Sequence, residues 1–299
     1  MPAITSSIGG QTIKGFFAAC LAAGSFSSSI TAASFAYGTG TNPITVIAFR
    51  AVLGLISAGL ICILLRRRVS LPPETVRPFL LTTLGIMMVN YGYIWAVQLI
   101  PVSLATLVFY TFPFIVLCEH AFSARRVPSP GAMFAFALAF GGLALALGPA
   151  LGDLDWRGVA AALVASIGGA LTMIYGGAAA RGSSILVLTF YAHLILAPIA
   201  LVVLFVLGGP IPPGETPGWI ALVISGGGYL GGLAFQFVAL RFINASSAAM
   251  VFNMEPLITI ILATLVLGEI LGIFQYVGGG LVIAAIILAT RYLMATSQK

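Results

Sequence analysis

The sequence predicts an all-α integral membrane protein. Ten transmembrane helices are expected, in two inverted five-helix repeats, with both termini cytoplasmic. Three observations carry this: the composition, the alternation of charge between loops, and a likeness of the chain to itself at a fixed shift.

The chain has 299 residues, 60% apolar and 7% charged, with 13 Lys+Arg and 7 Asp+Glu. Soluble domains carry roughly 25% charged residues. Twenty charges cannot cover a soluble fold of this length, so its outer surface must itself be apolar. The same hydrophobicity excludes disorder. The pI of 9.5 does not point to nucleic acid, because the basic residues sit in short gaps between apolar runs and form no face. Cys20, Cys62 and Cys118 are isolated within apolar runs and make no pairing or metal pattern.

A helix needs about 20 apolar residues to cross the hydrocarbon. The expected spans are 15–36, 43–65, 79–99, 102–122 and 131–149, then 158–178, 185–208, 218–240, 246–268 and 272–290. The first run lacks a small-residue cleavage site and leads at once into another span, so it reads as a retained helix. Pro78–Cys118 carries no charge over 41 residues. As one helix it would be about 60 Å long, twice the hydrocarbon thickness. Pro101 is the natural break, because proline ends one helix and starts the next. None of the spans is a long alternating strand, which argues against a β-barrel.

The loops then alternate in charge. One side holds Lys14, Arg66, Arg67, Arg68, Arg77, Arg125, Arg126, Arg181, Arg241, Arg291 and Lys299. The other holds Arg157 with Asp153, Asp155, Glu215 and Glu269. Eleven cations against one place the first side, and both termini, in the cytoplasm.

A shift of 143 residues lays Tyr93–Pro113 on Gln236–Pro256 with seven matches in 21 positions. The matches include Pro113 on Pro256 and the pair Val108-Phe109 on Val251-Phe252. Gly15 falls on Gly158. The halves are 1–150 and 151–299. Five spans per half is odd, so the halves enter the membrane from opposite sides. In such repeats the substrate site lies near the midplane between the halves.

Polar residues inside the spans are the candidate site. Arg50 and His193 are repeat-equivalent, and a charge at a helix centre costs about 3 kcal/mol on insertion scales. Arg50 is expected as a structural or gating residue and His193 as substrate-binding. Pro113 and Pro256 each free a carbonyl four residues earlier, which predicts paired irregular helices near the midplane. Glu255, just before Pro256, is expected to meet an interhelical partner, and Asn253 to face the substrate. Asn90, Tyr91, Ile94, Trp95 and Gln98 share one face of the third span, within roughly 140°. Amides and aromatic rings on one face suit a ligand with a π-surface or an ammonium. Tyr110, repeat partner of Asn253, joins Asn90, Tyr91, Trp95, His193 and Asn253 as expected substrate contacts. The glycine-rich run after Ser225 reads as close helix packing or a moving gate.

Three stretches resemble the drug/metabolite transporter superfamily, in its two-repeat EamA-type branch. They are Asn42-PITVIAF-Arg50 with the basic cluster at Arg66–Arg68, Asn253-M-Glu255-Pro256-LITIILATLVLG-Glu269, and Gly278-GGLVIAAIILA. Arg126 stands where the first half would repeat Glu269. The resemblance implies ten helices around a central cavity and export of a small metabolite, often an amino acid. It is similar to bacterial exporters of aromatic and neutral amino acids, which implies a bacterial inner membrane.

An intramembrane enzyme would need a catalytic set, and no HExxH, GxSxG or paired membrane aspartates occur. No Walker motif is present, so direct ATP drive is not expected. Ten spans with almost no soluble part leave little surface for signalling. The reading is a secondary transporter without cofactor or metal, whose partners are a small-molecule substrate and the lipid bilayer. Few cations inside the membrane favour an amino acid over a nucleotide sugar.

Overall fold

The computed structural model describes residues 2–100, 102–125, 127–148, 155–267 and 272–296. Pro101, Arg126, Asp153, Glu269 and Lys299, singled out in the sequence, lie outside these.

The described residues form twelve helices. In the first half these are α1 (Pro2–Gly38), α2 (Pro43–Leu64), α3 (Pro73–Leu99), α4 (Val102–Phe109), α5 (Phe112–Ser123) and α6 (Pro130–Leu147). In the second they are α7 (Trp156–Gly182), α8 (Ile185–Val206), α9 (Thr216–Phe242), α10 (Ala245–Phe252), α11 (Met254–Leu267) and α12 (Ile273–Thr296). Nine helices among the described residues are long and apolar enough to span a membrane, counting α4–α5 and α10–α11 as one each. The apolar stretch Ile273–Leu288 of α12 is shorter than these nine.

Local chemistry sets the ends. The Asn42 side chain accepts from the Thr45 N–H at 2.8 Å and Pro43 opens α2. Asn244 does the same for Ser247 at the start of α10, at 2.7 Å. Asp155 caps α7 through the Arg157 N–H at 2.9 Å. The Arg157 guanidinium bonds back to the Asp155 carboxylate and holds its carboxyl below the usual carboxylate range. Gly148 ends α6 at φ +50°, a conformation that suits glycine.

Several bounds differ from those read in the sequence. The third helix starts at Pro73 rather than at 79, because Pro73 fits the first helical turn and Glu74 favours that end of the dipole. Pro78 is carried inside it. The first helix begins at Pro2, since a polar segment continues the apolar one as helix. The spans read as 102–122 and 246–268 are each broken, at Tyr110-Thr111 and at Asn253. The breaks precede Pro113 and Pro256, which cannot donate to the turn before them. They are 143 residues apart at Tyr110 and Asn253.

Packing repeats at the same shift. A Cβ on Gly85 would lie 2.5 Å from the Gly168 carbonyl oxygen, so α3 and α7 touch backbone to backbone. The counterpart of Gly85 is Gly228, where a Cβ would lie 2.8 Å from the Ser25 carbonyl oxygen across the α1–α9 contact. Likewise Gly158 sits against Leu99 and Ile100, and Gly15 against Phe242 and Ile243. Helices α2 and α8 pack on each other, as do α6 and α12. Thus α1 packs on α9 and α3 on α7, while the two remaining pairs join equivalent helices. One hydrophobic core draws on both halves, from Ala18, Tyr110 and Phe112 to Met173, Leu240 and Val251.

The contacts also order the ends of the bundle. Gly15, in the first half of α1, meets the end of α9 at Ile243. The start of α3, at Thr75, meets the end of α7 at Gly182. Arg181 donates to the Leu240 carbonyl, and Arg241 donates in return to the carbonyls of Ala180 and Ser183. Lys14, Arg77, Arg181 and Arg241 therefore gather at one end. Asp155, Arg157 and Glu215 belong to the other, where α7 and α9 begin. Helix α1 leaves the cationic end and its counterpart α7 arrives there. The Arg241→Ala chain should lose the cap on α7, a cost of about 1–2 kcal/mol. Thermal unfolding in detergent checks this, and Arg241→Lys should recover part of the loss.

Candidate substrate site

Arg50 occupies the middle of α2 and faces inward. Its Nε donates to Ser225 Oγ at 2.9 Å, and its Nη2 to the same oxygen at 2.7 Å and to the Ser29 carbonyl at 3.0 Å. Ser29 Oγ in turn donates to the Ser225 carbonyl at 2.6 Å. One guanidinium thus ties α2 to both α1 and α9. Its Cζ lies 5.7 Å from the centre of the Tyr229 ring, a cation–π contact.

Among the described residues Arg50 has no acid partner. Among the described residues the only ion pair is Asp155–Arg157, outside the membrane-spanning part. Nη1 of Arg50 has no hydrogen-bond partner among the described residues. Arg50 lines a small cavity shared with Ile47, Ala51, Asn90, Tyr91, Leu196, Ala200 and Tyr229. Helices α2, α3, α8 and α9 supply these walls, so both halves contribute. Asn90 donates to the Ile86 carbonyl at 2.8 Å and lines the cavity beside Tyr229. The polar wall is therefore held in place before any ligand arrives.

His193 is fully buried on α8, behind Tyr229, with ring centres 6.0 Å apart. Its Nδ1 lies 2.8 Å from the Thr189 carbonyl, which fixes the proton on Nδ1. Nε2 is buried without a partner among the described residues and packs against Gly54 of α2. Tyr229 stands between the two repeat-equivalent bases, and its own repeat counterpart is Ile86. The counterparts of Ser29 and Ser225 are Thr172 and Thr82, each bonded to a carbonyl of its own helix. The arginine site thus departs from the internal symmetry that the packing obeys.

The other expected contacts fall elsewhere. Tyr110 is 4% exposed in a cluster with Phe109 and Phe112, close to Glu255. Asn253 is 3% exposed and donates to the Met250 carbonyl at 3.2 Å, closing α10 at the break. Trp95 is 63% exposed and lies off the cavity wall. The stripe on α3 therefore divides, with Asn90 and Tyr91 on the cavity and Trp95 further along. Ser29, Ser225 and Tyr229 were not singled out in the sequence, although Tyr229 is the one polar side chain within the glycine run that follows Ser225.

The sequence profile of the EamA-like transporter family matches the chain twice, over residues 13–148 and 156–291. The chain belongs to the EamA-like transporter family. The two matches are offset by 143 residues, the shift found within the sequence and again in the helix contacts. This EamA-like chain is a multi-pass membrane transporter of the drug/metabolite transporter superfamily, built from two repeats. A solved structure, described only as the crystal structure of a protein, has the same fold at a TM-score of 0.78 and 19% identity. The match covers 97% of this chain and 99% of that one. No curated protein matches the chain significantly.

Proposed function

We propose that the chain exports small zwitterions, above all neutral and aromatic amino acids, by alternating access around the Arg50 cavity. The observation that carries this is an inward-facing guanidinium in α2 that has neither a hydrogen-bond partner on Nη1 nor an acid beside it among the described residues. A carboxylate on Nη1 would supply the missing negative charge at a place where an unpaired cation is costly. Asn90 and the Tyr91 and Tyr229 rings offer hydrogen bonds and π-faces to an ammonium or an aromatic side chain. A single cation suits one carboxylate and leaves a diphosphate under-compensated, which disfavours nucleotide sugars.

On this reading the cationic end of the bundle faces the cytoplasm of a bacterial cell, and the two repeats stand inverted in the inner membrane. Contacts drawn from both halves let a rocking motion expose the cavity to each side in turn. Purified chain in liposomes should take up several labelled neutral amino acids, and overexpression should protect cells from toxic amino-acid analogues. Transport of a nucleotide sugar or a lipophilic cation instead would replace the amino-acid reading. Tyr91→Ala should slow uptake at least about tenfold, an effect of about 1.4 kcal/mol. Trp95→Ala should change it far less, given its exposure. Equal losses in both would return Trp95 to the site.

A further inference from the structure

We propose that Glu255 is a proton-carrying site that couples transport to a pH gradient. The inference rests on the transport reading and concerns a group apart from the Arg50 cavity. Glu255 lies in the first turn of α11, two residues after the break at Asn253 and directly before Pro256. Its side chain lies close to that of Tyr110, which sits at the equivalent break in the first half. The two irregular points of the fold thus meet through one titratable group.

The surroundings of this carboxyl hold no cation among the described residues. From α3 comes Tyr93, whose hydroxyl is joined to Thr106 at 2.6 Å. From α1 comes Ser27, whose Oγ donates to the Glu255 carbonyl oxygen at 2.8 Å. Helix α12 meets α11 where Gly279 lies against Leu257. Arg50 is engaged instead with Ser225, the Ser29 carbonyl and the Tyr229 ring. An ionised carboxylate at membrane depth needs a cation or water, and here it has a tyrosine. The protonated form suits this packing. Ionisation calls for a rearrangement that admits water, and a helix already broken beside Glu255 is where such a change costs least.

The cycle makes and breaks only an O–H bond. The carboxyl takes a proton from the acidic side and stays neutral while the halves rearrange. It then yields the proton to the other side, and substrate travels the opposite way. One proton enters for each substrate that leaves.

The test uses the full chain in liposomes with labelled phenylalanine as the probe. Wild type should exchange phenylalanine without a gradient and concentrate it in liposomes loaded with acidic buffer. Glu255→Gln should keep the exchange and lose the concentration, and Glu255→Asp should recover part of it. A Glu255→Gln chain that concentrates like wild type, or a wild type indifferent to the gradient, overturns the proposal. Should phenylalanine not be carried at all, the amino-acid reading fails separately, and infrared spectroscopy decides the proton site. A protonated-carboxyl stretch should titrate in wild type, vanish in Glu255→Gln and shift in Tyr110→Phe. A band that survives Glu255→Gln, or does not move in Tyr110→Phe, overturns the assignment.

Discussion

Replacing Arg50 by glutamine is expected to abolish transport while leaving a folded protein. The substitution removes the one charge on the cavity wall. Losing a desolvated charge partner for a carboxylate costs about 3 kcal/mol, roughly a hundredfold in affinity. Arg50→Lys keeps the charge but not the planar fork, so the bonds to Ser225 Oγ and the Ser29 carbonyl cannot all be kept. It should fall between the two. Arg50 also ties α1, α2 and α9 together, so its loss could act through the fold. Ser225→Ala separates the roles, because it removes the tie to α9 and keeps the charge. Uptake that survives Ser225→Ala but not Arg50→Gln assigns the effect to the charge. Equal loss in both assigns it to the tie.

The second large effect is expected at Gly54. A Cβ there would lie 2.1 Å from His193 Cδ2 and 2.4 Å from Nε2. The ring is fully buried and held at Nδ1 by Thr189, so it cannot swing away without giving up that bond. Gly54→Val should force α2 and α8 apart and lower the yield of folded protein, by about 3 kcal/mol or more. Gly54→Ala combined with His193→Ala should recover most of the stability that Gly54→Ala alone removes. Additive losses in the pair would mean that ring and glycine do not compete for space.

Much of the architecture was legible in the sequence because hydropathy and charge act over whole segments. Lys14, Arg181 and Arg241 lie at one end of the bundle, as the alternation of loops required. The shift of 143 residues was visible at Pro113 and Pro256, and it returned in contacts such as Gly85 with Gly168 and Gly228 with Ser25. The breaks at Tyr110 and Asn253 follow from those prolines, which free the turn before them.

The site was legible only in part. Asn90 and Tyr91 could be placed on one helix face from spacing alone, and they do line the cavity. Trp95 shares that face by angle, yet sits one turn on, where the wall has ended. Periodicity gives direction around a helix, while depth along it depends on partners far away in sequence. The same limit hid Ser29, Ser225 and Tyr229. Their role comes from α1, α2 and α9 meeting at Arg50, and Arg50 lies 175 residues from Ser225. His193, the repeat counterpart of Arg50, packs edge-on against Tyr229 and is not among the residues lining the Arg50 cavity.

If Arg50 receives the carboxylate of the substrate, competition among three related compounds will depend on that group. Liposomes holding the wild-type chain would take up labelled phenylalanine in the presence of unlabelled phenylalanine, its amide, or phenylethylamine, which lacks the carboxyl group. Phenylalanine should compete strongly, and the amide and the amine weakly or not at all. Equal competition by all three, or competition by the amine alone, would contradict the account.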